Sequence, residues 1–467
     1  MIFDKMISIF SDDTICALAT APGGAMATIR VSGNRAVEIT DSLFRTPSGK
    51  RVADMLPYTA IHGEIFDADE ATVDDVMVLL FRAPHSYTGE DVAEITCHGS
   101  RYIINRILSR LIQQGCRQAN PGEYTMRAFL NGKMDLCQAE AVADLIASSN
   151  AATHNMAMSQ LRGNFTQRLR QLRDRLLHIT SLIELELDFS EHDVEFANRS
   201  QLLSLANEIH GHIERLVNSF NTGVAIRQGI PVAIIGKTNV GKSTLLNRLV
   251  HDDKAIVSDI HGTTRDTIED VTQIHGLTFR FIDTAGIRNT SDTVEQIGIQ
   301  RAYQKLEEAS IVIWITDTVP NMEEVDDILK RTERKRLIAV VNKIDRQEPP
   351  YDPLIGMGQG RGIPIVNISA KHGINMEELE EVIFKAADIP DVQQNDVVVT
   401  NVRHYEALSH ALNDIIRVED ALHADISADL LSEDLRACIQ HLAEIVGGEI
   451  TTEETLQNIF SKFCVGK

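Results

Sequence analysis

The nonapeptide GKTNVGKST, Gly236 to Thr244, constrains the fold more than any other stretch, because it fits G-x-x-x-x-G-K-[ST] between an apolar run, PVAIIG, and the helical pattern TLLNRLV. In a strand-turn-helix setting the glycines let backbone N–H groups wrap phosphate oxygens. Lys242 then places a positive charge on the β and γ phosphates, and the Ser243 hydroxyl can take Mg²⁺. Asn239, Val240, Gly241, Lys242, Ser243 and Thr244 are therefore read as nucleotide-binding. From Ile230 to about Ala387 the runs PVAIIG, FRFIDTAG, IVIWIT, IAVVNKID and IPIVNIS alternate with helical patterns, which predicts a parallel, doubly wound sheet.

Apolar residues recur every three or four positions from Leu161 to Ile183 and again from Leu202 to Phe220. The same periodicity returns at Leu408, Leu412 and Ile415 and at Leu431, Leu435, Ile439 and Leu442. Helices thus flank the α/β unit on both sides, which predicts a helical domain interrupted by an inserted one. The first 120 or so residues mix strand-like ATIRVSG and DDVMVLLFRAP with a helix near RYIINRILSRLIQQG, an α+β pattern. The expected division is 1–125, a helical first part at 126–228, the inserted P-loop domain at 229–387 and a helical second part at 388–467.

A chain of 467 residues with 43% hydrophobic content has room for about three such cores. Its 45 basic and 67 acidic residues leave a formal charge of −22, which disfavours a non-specific nucleic-acid coat and confines any RNA contact to a local patch. Arg162, Arg168, Arg170, Arg173 and Arg175 crowd one helix, but charges at that spacing are most often a solvated face. Six cysteines without a C-x-x-C pair suggest reduced thiols rather than a zinc cluster or disulfides. The opening MIFDKMISIFSDD is short and soon acidic, unlike a secretory signal, and no apolar run reaches membrane-span length. A cytoplasmic protein is expected. The terminal FCVGK ends in lysine, which a prenylation box does not.

Base choice is read from NKID, Asn342, Lys343, Ile344 and Asp345, and from SAK, Ser369, Ala370 and Lys371, each ending a strand. A carboxylate at Asp345 can accept from guanine N1 and its exocyclic amine, whereas adenine would leave it unpaired, so GTP and GDP are favoured over ATP. DTAG, Asp283, Thr284, Ala285 and Gly286, would place Asp283 near Mg²⁺ and the Gly286 N–H near the γ phosphate. Ile287 follows where many GTPases carry a water-orienting glutamine, so hydrolysis must draw its polarising group and charge from elsewhere. The stretch Ser258, Asp259, Ile260, His261, Gly262, Thr263, Thr264 supplies a loop able to complete the Mg²⁺ shell.

Together with SYTGEDVAEI, PGEYTMRAFLNGKMDLCQAEAVADLI, GTTRD, DTAGIR, NKID and FCVGK, these motifs make the chain resemble the MnmE (TrmE) family of tRNA modification GTPases nearly end to end. The resemblance implies a homodimer with an N-terminal folate-binding domain, a helical domain and an inserted GTPase domain. With the flavoprotein MnmG, in a heterotetramer, such proteins install aminomethyl or carboxymethylaminomethyl groups at C5 of the tRNA wobble uridine. It further implies K⁺ held by Asn239, the Ser258 and Ile260 backbones and Thr263, supplying the charge an arginine finger supplies elsewhere. Ser243 and Thr264 become Mg²⁺ ligands, and Glu295 the residue that orients the attacking water.

For the folate, 5-formyl- or methylene-tetrahydrofolate, the resemblance points to Arg30, Glu94 and Lys133. A pterin offers donors to a carboxylate, and a glutamyl tail offers carboxylates to Arg or Lys. Cys464 is implied near the one-carbon group, where a thiolate would be nucleophilic, and Lys467 at the carboxylates. A regulatory RNA-binding GTPase would share NVGKST, GTTRD and NKID, but no G-x-x-G RNA-clamping loop in a basic setting follows the GTPase unit.

Overall fold

A computed structural model describes residues 13–188, 199–251, 270–282, 307–346, 362–389, 397–424, 426, 428–447, 453–461 and 463–466. The chain divides into two compact units. One comprises Met1–Ile146, Gln160–Ala206 and Asp414–Lys467, and the other Ala147–Ser159 and Asn207–Asn413.

The N-terminal part of the first unit is a seven-stranded sheet built from β1 (Thr14–Leu18), β2 (Met26–Ser32), β3 (Phe44–Arg45), β4 (Thr59–Phe66), β5 (Thr72–Phe81), β6 (Val92–His98) and β7 (Cys116–Gln118). The spatial order is β3-β4-β5-β6-β2-β1-β7, antiparallel except where β1 meets β7. Helices α1 (Ala36–Leu43) and α2 (Arg101–Gln113) cover one face, burying Ile39, Leu43, Ile104, Ile107 and Leu111 against Ile29, Val31, Val78 and Ile95. Strand alternation therefore turns Arg30 and Glu94, which are direct partners in the β2·β6 register, to the opposite face.

Helices α3 (Glu123–Leu130), α4 (Leu136–Ala147), α5 (Ala151–Leu161), α6 (Asn164–Asp188) and α7 (Arg199–Gln228) follow. The apolar series that starts at Leu161 in the sequence is broken at Gly163, whose φ of +81° lies in the left-handed region that favours glycine and ends α5 before α6 begins.

In the second unit β8 (Ile230–Ile235) leads into α8 (Lys242–His251), followed by β9 (Asp270–Ile274), β10 (Leu277–Phe281), β11 (Ile311–Thr316), α9 (Met322–Arg331), β12 (Arg336–Val341), β13 (Ile365–Asn367) and α10 (Met376–Ala386). The sheet order is β13-β12-β11-β8-β10-β9. Five strands are parallel, as the apolar runs imply. The edge strand β9 is antiparallel to β10 through a tight His275–Gly276 turn, and it breaks the purely parallel expectation. On β11, Ile311, Ile313 and Ile315 pack with α8 and α10, while Val312 and Trp314 pack with α9. Burial on both faces is why IVIWIT carries no polar alternation and is the mark of a doubly wound sheet.

Helices α11 (Val402–His423), α12 (Ala428–Val446) and α13 (Glu453–Phe460) complete the chain. Within the first unit α12 packs on α6, with Arg436 NH2 2.6 Å from Glu184 Oε1. Leu456, Phe460 and Phe463 bury against Met126, Phe129 and Leu136. All six cysteines are free, five of them buried and Cys464 exposed. Among the described residues no helix is long and apolar enough to cross a membrane.

Candidate functional site

The Gly236–Gly241 loop begins where β8 ends, at the carboxyl edge of the sheet, as ligand sites in open α/β folds do. Gly241 has φ +105°, and a Cβ there would stand 2.2 Å from Asn342 Nδ2. Asn239 also adopts a positive φ of 61°. These backbone settings turn the loop into a cradle that ends on the N-terminus of α8, where the helix dipole favours an anion. Lys242 Nζ donates to the carbonyls of Gly236 at 2.8 Å and Lys237 at 2.5 Å, so its ammonium is folded over the loop. Burial pushes that ammonium below the usual lysine range. Ser243 is the second residue of α8, and Thr244 beside it is exposed.

Asn342, 5% exposed, ties the loop to the segment that follows β13. Its Nδ2 donates to the Val240 carbonyl at 2.7 Å, and its Oδ1 accepts from the Ala370 N–H at 3.0 Å. Lys343, at φ 65°, donates to the Asn239 carbonyl at 2.7 Å and pairs with Asp317 at 2.6 Å. Ile344 N donates to the Ile368 carbonyl at 3.3 Å. Asp345 Oδ1 accepts from Ser369 Oγ at 2.6 Å, and His372 Nε2 lies 3.6 Å from Oδ2. The Ser369 hydroxyl is the main influence holding the Asp345 carboxyl below its ordinary range. Lys371 is exposed next to this group. The structure thus brings Asn239, Val240, Gly241, Lys242, Asn342, Lys343, Asp345, Ser369 and Ala370 into one cradle. Asp317 belongs with them, and sequence reading missed it; its place directly after IVIWIT was the available signal.

Ser258, Asp259, Ile260, His261, Gly262, Thr263, Thr264, Asp283, Thr284, Ala285, Gly286 and Glu295 lie outside the described residues, as does Lys467.

In the first unit a cavity of about 440 Å³ is lined by Arg30, Phe81, Tyr87, Val92, Glu94, Met134, Val142, Leu145, Ile146 and Leu161. Arg30 Nε and NH2 both reach Glu94 Oε1 at 2.8 Å. The two residues expected to take opposite ends of one ligand therefore meet as a pair. The Arg30 guanidinium stands 5.5 Å from the ring centroids of both Tyr87 and Tyr124, within cation–π range. Lys133 is exposed, donates to the Pro84 carbonyl at 2.8 Å and is not part of that lining. Cys464 is exposed too; its carbonyl accepts from Gly122 N at 3.3 Å, which joins the carboxy-terminal tail to the start of α3. A Cβ on Gly466 would fall 2.1 Å from the Leu18 carbonyl, so the tail lies tightly against the end of β1.

Beneath α3, Arg127 (1% exposed) donates to Asp13, Glu90 and Glu123, while Arg117 grips Glu123 and Asp13 from the other side. Burial alone would raise the Glu123 carboxyl, but the Arg117 bonds, the Asn120 N–H and Arg127 outweigh it and hold the group below its ordinary range.

Residues 14–133 match the family model described as GTP-binding protein TrmE N-terminus, and residues 136–464 match the MnmE helical domain. The chain is 57% identical over 467 residues to a tRNA modification GTPase MnmE of Bacteroides fragilis, a match that covers 98% of this chain and 100% of the relative. It is 56% identical over 466 residues to the protein of the same name from Bacteroides thetaiotaomicron, again 98% of this chain and 100% of the relative. A crystal structure of Aquifex aeolicus Era bound to GDP.AlF4- covers 40% of this chain and 66% of its own, at 32% identity and a TM-score of 0.27.

Proposed function

The chain belongs to the MnmE family of tRNA modification GTPases, and on that premise we propose that it hydrolyses GTP with Mg²⁺ and K⁺ as part of wobble-uridine modification at C5 in tRNA. A reduced folate, 5-formyl- or methylene-tetrahydrofolate, is the one-carbon donor. The working assembly is a homodimer joined by the flavoprotein MnmG in the cytoplasm. The domains proposed to divide this work are 1–125 for folate, 229–387 for GTP, and 126–228 with 388–467 as the helical connection.

The observation that carries the reading is the Asn342 bridge, because it holds the phosphate loop and the Asp345–Ser369 group in one guanine-nucleotide cradle. The Mg²⁺ proposal is supported by Ser243, the second residue of α8, whose hydroxyl and position suit a P-loop metal ligand. The K⁺ proposal is supported by Ile287 in place of a glutamine and by the position of Asn239 in the loop, whose carbonyl Lys343 fixes. Bound K⁺ would supply positive charge between the β and γ phosphates.

The folate proposal is supported by the chemistry of the first-unit cavity. Its apolar walls suit a flat heterocycle. Both Arg30 contacts fall on Oε1 of Glu94, so among the described residues the Oε2 lone pairs remain to a ligand's N–H groups. Arg30 is then a group that orients Glu94 rather than one that waits for glutamyl carboxylates. Cys464 and Lys467 are proposed to close on the same ligand from the tail.

Mass analysis of tRNA nucleosides from a strain lacking this chain tests the function directly. Loss of C5-modified wobble uridine is expected; an unchanged nucleoside profile would sink the proposal and leave a switch-type GTPase in its place.

A further inference from the structure

We propose, resting on the folate reading above, that Tyr87 determines specificity in the first-unit cavity: its ring is the platform for the planar 2-amino-4-oxopyrimidine edge of a reduced pterin, whose N–H groups meet Glu94. Of the ten described residues that line it only Arg30 and Glu94 are charged, and they neutralise one another. This wall therefore offers a ligand no net charge. What it offers is shape, one carboxylate and an aromatic ring.

Two tyrosines flank Arg30, and the structure decides between them. Tyr124 is fully buried and its hydroxyl donates to the Arg30 carbonyl at 2.8 Å, so that side chain serves the scaffold. Tyr87 is half-buried and lines the cavity. Its hydroxyl lies 2.9 Å from Thr125 Oγ1, and Thr125 is completely buried, so the ring cannot swing without breaking that bond. The backbone on either side is held as well. Ser86 Oγ donates to the Glu90 carbonyl at 2.6 Å, and the Glu90 side chain accepts from buried Arg127 at 3.0 Å. A ring fixed before the ligand arrives loses little freedom on binding, which is how preorganisation raises affinity.

Calorimetric titration of the full chain tests this with 5-formyltetrahydrofolate and with p-aminobenzoylglutamate, which lacks the pterin. Stacking of a heterocycle on an aromatic side chain is worth enough that Tyr87→Leu should weaken 5-formyltetrahydrofolate about tenfold or more. Tyr87→Phe, which keeps the ring, should stay within about threefold, since only the anchoring hydrogen bond is lost. Affinity for p-aminobenzoylglutamate should be the same in all three proteins. Tyr87→Leu binding within twofold of the unmutated chain overturns the inference. No binding by the folded, unmutated chain removes the folate reading and the inference with it. If circular dichroism shows Tyr87→Leu unfolded, Tyr87→Met decides the matter: a side chain of closer size without a ring should also weaken 5-formyltetrahydrofolate about tenfold or more, and affinity within twofold overturns the proposal.

Discussion

The Asn342 side chain donates to the Val240 carbonyl at 2.7 Å and so joins the end of β12 to the phosphate-binding loop after β8. Those two strands are not neighbours in the sheet, because β11 lies between them. A single buried amide therefore couples the loop after β8 to the ends of β12 and β13, the two halves of the proposed nucleotide cradle.

Asn342→Ala should weaken GDP at least about tenfold, because it strands the Val240 carbonyl and the Ala370 N–H, each costing about 1–3 kcal/mol when buried without a partner. Fluorescent-nucleotide titration reads the affinity, and a thermal melt reports how much of the cost falls on folding. Affinity within twofold of the unmutated chain would show that the two halves of the cradle are held independently.

Asp345→Asn should cost GTP affinity roughly a hundredfold and improve xanthosine nucleotides, since an amide can donate to the xanthine C2 carbonyl where a carboxylate only accepts. The pH dependence has a definite sign. Because the Ser369 hydroxyl lowers the Asp345 carboxyl, the ionised form and its guanine contact persist above the ordinary aspartate range, near pH 4. They are lost as pH falls through the lowered value. Ser369→Ala should move the acid limb of GDP affinity to higher pH, and an unmoved limb would remove Ser369 from this role.

Replacing K⁺ by Na⁺ should slow GTP hydrolysis about tenfold or more, the scale of losing one electrostatic contact to the transition state. Asn239→Ala should abolish the difference between the two salts. Equal rates in both salts for the unmutated chain would dismiss the potassium cage.

Arg127→Met should destabilise the first unit by about 1–3 kcal/mol, because Glu90 loses the Arg127 cation while Glu123 and Asp13 keep Arg117. The lowered Glu123 carboxyl contributes stability that is full above its unfolded value, near pH 4.3, and is lost as pH falls through the folded one. The melting temperature of the unmutated chain should therefore drop on acidification below about pH 4.5, and that of Arg127→Met should drop less. Identical acid limbs would mean the network carries no linked stability.

Where local backbone chemistry decides the fold, it was legible in the sequence. GKTNVGKST sets its own glycine geometry, and the uniformly apolar IVIWIT could only be a strand covered on both faces; both act over a few adjacent residues. The break at Gly163 was hidden because the leucine spacing runs through it unchanged, and only the positive φ shows where one helix stops. The β9 edge strand was missed for a similar reason, since a short half-exposed segment carries little periodicity.

What the tertiary structure alone decided is who meets whom across long sequence separations. Arg30 and Glu94 read as two independent ligand contacts but lie opposite one another on β2 and β6, and become one ion pair. Tyr87 and Thr125, and Asp13 with Arg117 and Arg127, meet only once sheet and helix are packed. Side-chain type and spacing fix local conformation through steric and hydrogen-bonding rules that reach a turn or two, whereas the pairing of distant charges is settled by strand register and packing, which no short stretch encodes.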